Sequence, residues 1–180
     1  DCFIAVSRAI EKDLGEYGIH NVFLIPNGVD TGKFLVSGDS DKVNLRKQLG
    51  LPPDRVIFTF AGRLEYVKGV DLLLQAWDIL SSGVRKAVLL VILGDGSLRK
   101  NVEAAAESDS IIFRGAVENV YQYLKTSDAF VLPSRYEGTC VALLEAMSCG
   151  LAVLASNVGG NPDIIDCDNG ILFEPGNYRE

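Results

Sequence analysis

The sequence predicts an α/β fold built on a parallel sheet. Three observations carry that expectation. Short apolar runs alternate along the chain with longer amphipathic stretches, those stretches are long enough to serve as crossover helices, and the segment Val70–Trp77 repeats its apolar residues at the 3.6-residue helical period. No internal repeat or low-complexity tract interrupts the alternation.

Taken in order, the run Cys2-Phe3-Ile4-Ala5-Val6 predicts a strand over 3–6, followed by a helix over 8–17 and a strand over 22–26. The stretch Thr31–Asp54 then shifts in composition. Gly32, Gly38, Pro52 and Pro53 surround a charged, weakly apolar segment that reads as a connection between units and contains a helix over 41–49. Beyond it the apolar runs predict strands over 56–61, 87–93, 111–113, 129–132, 152–155 and 171–173. The helices between them are expected over 70–81, 98–107, 119–125 and 139–149. A chain of 180 residues with 48% apolar content can bury one good core but not two complete domains.

The formal charge of −7, from 17 basic and 24 acidic residues, sets the whole surface against a phosphate backbone, so a nucleic-acid partner is disfavoured. A small anionic ligand in a locally basic pocket remains compatible with that charge. Cys2, Cys140, Cys149 and Cys167 form no C-x-x-C pair, which points to reduced thiols and a cytoplasmic setting. The longest strongly apolar run, Ala87–Leu93, is far short of the roughly 20 residues that span a bilayer. Because Asp1 leads directly into a strand, a natural N-terminus and any targeting signal are expected to precede it. His20, the one histidine, sits in a turn with no nucleophile or ligand set nearby and reads as surface, while Trp77 and Met147 read as helical core residues.

Ligands of open α/β sheets bind beyond the carboxyl ends of the strands, so the loops after the apolar runs hold the candidate chemistry. In the loop Ala61–Gly69, Gly62 and Gly69 permit close backbone approach. Arg63 and Lys68 place two cations beside a helix N-terminus, whose free N–H groups also favour an anion. A diphosphate suits this arrangement, and so does an ordinary strand-to-helix turn with two solvated charges. The second loop runs Ser134-Arg135-Tyr136-Glu137-Gly138-Thr139-Cys140 into a helix. Glu145 is the one charge in the nearly all-apolar run Val141–Cys149, and a carboxylate there calls for a partner, a cavity wall or a solvent-facing seam. Glu137 alone reads equally well as a carboxylate stabilising a helix start. Eight helical steps would put the two glutamates roughly 12 Å apart, too far for either carboxylate spacing of a glycosidase. That separation suits the two ends of one extended ligand.

Together, Asn27-Gly28-Val29-Asp30, the Gly-Arg…Lys-Gly loop at 62–69, Gly94-Asp95-Gly96, the pair Glu137 and Glu145 with Ala146-Met147 and Gly150, and Val158-Gly159-Gly160-Asn161-Pro162-Asp163 closely resemble the retaining group 1 glycosyltransferases. The motifs stand in family order across almost the whole chain. The resemblance implies the GT-B architecture of two facing Rossmann-like domains, here a Rossmann-like parallel sheet with helices on both faces from the C-terminal, donor-binding half. Residues 1–36 would be a remnant of the N-terminal domain with the interdomain connection, and 52–180 the nucleotide-sugar-binding domain without its terminal helix.

On the same resemblance, Arg63 and Lys68 are the cations for the donor diphosphate and Glu145 the ribose-hydroxyl acceptor. Glu137 and the backbone N–H groups of Gly138, Thr139 and Cys140 contact the transferred sugar and phosphates. Gly62 lies against the donor, and Val117 matches the base-contacting backbone position. The donor would be a UDP-, GDP- or ADP-sugar, with no cofactor and no metal. The acceptor, a sugar or a lipid-linked molecule, would meet the absent half, and the parent enzyme could sit peripherally on a membrane. The alternatives are a sugar-nucleotide epimerase of the same architecture and a non-catalytic donor-binding module. Many members carry an aromatic residue and a glycine at the positions of Thr139 and Cys140, which leaves the sugar open. Gly94-Asp95-Gly96 lacks the third glycine of a dinucleotide fingerprint, Arg99 standing in its place, and no phosphate-binding G-x-x-x-x-G-K-[ST] occurs. A nicotinamide dehydrogenase and a P-loop ATPase are therefore disfavoured.

Overall fold

The computed structural model describes residues 1–106 and 108–179. Glu107, at the end of the helix expected over 98–107, and Glu180 lie outside the described residues. The chain forms two parallel sheets. In the smaller, β1 (Phe3–Ala5) pairs with β2 (Val22–Leu24) across the helix α1 (Arg8–Glu16), whose first turn is capped by the Ser7 hydroxyl accepting from the Ile10 N–H. The larger sheet has the order β5-β4-β3-β6-β7-β8, with every described neighbour parallel. Its strands are β3 (Val56–Ala61), β4 (Val88–Leu93), β5 (Ile111–Gly115), β6 (Ala129–Leu132), β7 (Ala152–Ser156) and β8 (Ile171–Phe173). This is the Rossmann-like α/β sheet that the alternation predicts.

The strands are apolar nearly throughout because helices cover both faces. Ile57, Leu89, Val91, Leu93, Phe130, Leu132 and Val153 point into one layer with α6 (Val120–Thr126) and α7 (Val141–Ser148). Phe60, Leu90, Ile92 and Val131 point into the other, against α3 (Val70–Asp78) and α5 (Arg99–Ala105). On α3 the buried residues are Val70, Leu73, Leu74 and Trp77, the expected apolar stripe, and the Trp77 indole N–H donates to the Ser110 hydroxyl at 2.9 Å. The helix expected over 70–81 ends at Asp78. A separate short helix, α4 (Ser82–Ala87), follows, started by Ser81, whose hydroxyl accepts from the Val84 N–H. Over β6 to β8 the α3 face holds a groove of about 340 Å³, bounded by Val131, Pro133, Leu154 and Phe173.

The connection is more structured than its composition suggests. Helix α2 (Asp39–Gln48) sits in it, and Arg46 is buried at the amino ends of the central strands. Its guanidinium donates to the carbonyls of Thr126, Pro53 and Arg55 at 2.9–3.1 Å and to Asp128 at 2.7 Å. Asp128 also accepts from the Ile57 N–H at 2.7 Å and pairs with Lys42 at 2.6 Å. The connection is thus bolted to the sheet end opposite the loops of interest. All four cysteines are free thiols, His20 is exposed, and no helix among the described residues is long and apolar enough to cross a membrane.

Candidate functional site

The order β5-β4-β3-β6-β7-β8 contains a topological switch. The chain moves outward from β3 through β4 to β5, then returns to place β6 on the other side of β3. The loops after β3 and β6 therefore flank the switch point at the carboxyl end of the sheet, where ligands of such sheets bind in a crevice. These loops hold Arg63 with Lys68, and Glu137 with residues 138–140.

After β3 the chain runs to a single 3₁₀ turn, Tyr66–Lys68, and enters α3 through Gly69. Gly69 adopts φ +68°, and a Cβ there would lie 2.0 Å from the Pro133 carbonyl oxygen, so the β3 and β6 loops meet backbone to backbone. The Lys68 ammonium donates to both Glu137 oxygens, at 2.7 and 2.9 Å, and the buried Ser134 hydroxyl donates to Oε1 at 2.6 Å. Glu137 is only 6% exposed, and its charge is matched by a cation and a hydroxyl. The helix-dipole alternative for Glu137 is corrected here: α7 begins at Val141, two residues later than expected, and no acidic residue lies in its first turn. The helical spacing used to place Glu145 relative to Glu137 does not apply for the same reason, because residues 137–140 are not helical.

Gly138, Thr139 and Cys140 span the gap from Glu137 to α7, and none of the described residues accepts from their backbone N–H groups. From behind, the chain after β7 braces this segment. Gly159 has φ +55°, and a Cβ there would fall 1.8 Å from the Glu137 carbonyl oxygen; the next N–H, of Gly160, donates to the Gly138 oxygen at 2.7 Å. The smaller unit touches the same place, with the Thr139 hydroxyl donating to the Val6 carbonyl at 2.7 Å and the Arg8 N–H to Asp163 at 2.8 Å. The Cys140 thiol is buried and pushed up by that burial and by Glu137, so this residue presents its backbone rather than a nucleophile.

A cavity of about 310 Å³ opens beside the crevice, lined by Gly62, Arg63, Gly94, Asp95, Ala116 and Val117. A Cβ on Gly62 would make only ordinary contacts, 3.5 Å from the Phe60 ring and 4.0 Å from the Lys68 side chain, but the Gly62 backbone is closely approached from the loop after β4, since a Cβ on Gly94 would fall 1.8 Å from the Gly62 carbonyl oxygen. Arg63 is exposed, its guanidinium without a hydrogen-bond partner among the described residues, whereas Lys68 is committed to Glu137. Glu65 accepts from the Ser97 N–H and hydroxyl at 2.9 and 2.6 Å, tying this loop to the one after β4.

Glu145 stands apart. It is half-buried on α7, and no described residue hydrogen-bonds its carboxylate. Burial raises its carboxyl above the ordinary range, against the opposing charge of Lys33. The structure thus joins Lys68 to Glu137 and groups Gly62, Arg63 and Val117 around one cavity, with Glu145 bonded to none of them.

The family model described as glycosyl transferases group 1 matches residues 41–180. The chain belongs to that family. Group 1 relatives include the D-inositol 3-phosphate glycosyltransferase of Xylanimonas cellulosilytica, 33% identical over 97% of this chain and 45% of the relative. A sulfoquinovosyl transferase of Arabidopsis thaliana is 31% identical over 100% of this chain and 36% of its own length. The chain thus spans about half the length, or less, of these curated relatives. Among solved structures, Anabaena HepE in complex with UDP and glucose superposes with TM-score 0.87 at 25% identity, covering 99% of this chain and 50% of HepE. A sucrose-phosphate synthase from Thermosynechococcus elongatus superposes at 0.84 with 27% identity, over 99% and 46%. The group 1 fold is thereby matched across the chain.

Sequence reasoning assigned no role to Ser134, Arg135, Asp71 or Gly159, all of which shape the candidate site. Ser134 and Arg135 stood inside the quoted loop, but their partners are side chains and carbonyls 3 to 69 residues away.

Proposed function

We propose that this chain is the donor-binding half of a retaining hexosyltransferase that moves a sugar from a nucleoside diphosphate to a hydroxyl acceptor. The observation that carries the reading is the meeting of Lys68 and Glu137 across the switch point, beside three backbone N–H groups with no acceptor among the described residues. A diphosphate lying along the crevice takes its charge stabilisation from Arg63, from the third N–H of the Lys68 ammonium and from the N–H groups of Gly138, Thr139 and Cys140. Breaking the bond from the sugar's anomeric carbon to the diphosphate leaves the electron pair on the leaving oxygen. Fixed cations aimed at that oxygen lower the barrier more than they stabilise bound donor. The acceptor oxygen then bonds the anomeric carbon on the face the diphosphate leaves, and its proton passes to the departing diphosphate oxygen.

Glu137 holds Lys68 and faces the transferred sugar, the cavity at Gly62 and Val117 takes the base, and Glu145 accepts from the ribose hydroxyls. The complex of HepE with UDP and glucose supports a uridine nucleotide as the first donor to test. The transferase names of the relatives support transfer over the epimerase alternative. In this reading residues 1–36 belong to the acceptor-side domain and its connection, and the acceptor binds on that side.

Calorimetric titration with UDP, GDP and ADP tests the reading. One of the three is expected to bind, with affinity lost in Lys68→Ala, and Arg63→Ala or Lys68→Ala in the complete enzyme is expected to lower turnover by about 10²-fold or more. Failure of all three nucleotides to bind the folded chain, or wild-type turnover in both variants, overturns it.

A further inference from the structure

The Lys68–Glu137 pair joins two loops that are separate in sequence, and a third residue fastens those loops together. Arg135 donates through its backbone N–H to the Val67 carbonyl at 2.8 Å and through Nη1 to the Tyr66 carbonyl at 2.7 Å. The same guanidinium makes a two-pronged pair with Asp71, at 2.8 Å from Nη1 and 2.7 Å from Nη2, and lies over the Tyr66 ring at 3.9 Å from its centroid. Tyr66 and Val67 immediately precede Lys68, and Asp71 lies in the first turn of α3, which Lys68 leads into. Arg135 therefore grips the short turn on both sides of Lys68, while Glu137, two residues further along its own loop, receives the ammonium.

We propose that Arg135 is a positioning residue for Lys68, setting the register between the β3 and β6 loops in which the ammonium reaches Glu137 and the crevice. The inference rests on the donor-site reading above. Its chemistry is particular to arginine. A planar fork can bind a carboxylate with two bonds, reach a carbonyl and stack on an aromatic face at once, whereas a lysine ammonium can satisfy the charge but not the fork and the stack together. An arginine that only added stability would contribute independently of Lys68. One that acts through Lys68 has nothing further to lose once that ammonium is gone.

The test is a double-mutant cycle on nucleotide affinity, read by calorimetric titration with UDP, and with GDP and ADP in parallel, on the wild type, Arg135→Lys, Lys68→Ala and the double variant. Arg135→Lys is expected to weaken nucleotide binding about tenfold, the size of a lost hydrogen bond to a charged group. In the Lys68→Ala background it should change affinity by less than about twofold. Asp71→Asn, which weakens the fork from the α3 side, should reproduce the pattern and supplies the cycle if Arg135→Lys does not fold. Wild-type affinity in Arg135→Lys, or a loss that multiplies with that of Lys68→Ala, overturns the positioning role and leaves the donor site standing. Wild-type affinity in Lys68→Ala overturns the donor site and the positioning role with it.

Discussion

At the residue scale the candidate site separates charges that are already matched from charges that await a ligand. Lys68 spends two of its three N–H donors on Glu137, and the Arg63 guanidinium has no hydrogen-bond partner among the described residues. Glu145 is the third kind, a half-buried carboxylate with no hydrogen-bonded neighbour, held by burial above the ordinary carboxylate range. A group in that condition takes up a proton at higher pH than a solvated glutamate. If its ionised form accepts from ribose hydroxyls, nucleotide affinity is full at neutral pH and begins to fall on acidification earlier than an ordinary glutamate would cause. The sign for folding is opposite, since protonation relieves a charge that burial disfavours, so the fall cannot come from unfolding at this group. Titrations from pH 8 to pH 5 should show a steeper loss in the wild type than in Glu145→Gln, whose weaker binding falls only with protonation of the nucleotide's own terminal phosphate; matching profiles would remove Glu145 from the ribose.

At the element scale, helix α2 shows how a segment that looks like a linker becomes part of the domain. Its mean character is polar, and only Arg46 is buried on it. Arg46 and Lys42 nevertheless fasten α2 to Asp128, and Asp128 in turn fixes the Ile57 N–H at the start of β3. Burial acts to raise the Asp128 carboxyl, but the Ile57 N–H, Lys42 and Arg46 outweigh it and hold it below the usual range. A lowered carboxylate contributes stability above its unfolded value, and that contribution is lost as pH falls through the lower folded value. Asp128→Ala leaves the Arg46 charge buried with only carbonyls for partners, and should cost about 3 kcal/mol, measured by urea denaturation at neutral pH. The difference between variant and wild type should narrow toward pH 3; a difference under about 0.5 kcal/mol, the range of ordinary surface substitutions, would show that the carbonyls suffice.

The same scale shows what the sequence could and could not reveal. Strands over 56–61, 129–132 and 171–173 fall where apolar runs predict them, because buried parallel strands are apolar on both faces. The short helix α4 was missed because its residues, Ser82-Gly83-Val84-Arg85-Lys86-Ala87, bury no apolar stripe that periodicity could register. In the site, glycine and cation spacing identified the loop at 61–69, and the place after a strand with the lone carboxylate Glu145 identified the loop at 134–140. The pairing of Lys68 with Glu137 and the grip of Arg135 depend on which strands are neighbours, and that order is settled only when the sheet assembles.

At the scale of the whole molecule, a chain of net charge −7 offers an anionic ligand one locally favourable address, and the fold supplies it by topology. The switch between β3 and β6 turns the loop of Arg63 and Lys68 and the loop of Glu137 to Cys140 toward the same crevice, so Arg63, Lys68 and three backbone N–H groups can meet a diphosphate from two sides. Such a set can neutralise the leaving group without a divalent ion, the role that metal clamps serve elsewhere. If that is how the enzyme works, nucleotide affinity measured in EDTA equals that in magnesium or manganese, and Lys68→Ala is not rescued by either ion. A site that needs a metal behaves oppositely, losing affinity in chelator and recovering it when manganese is returned, and the two cations would then be accessories to an ion rather than its replacement.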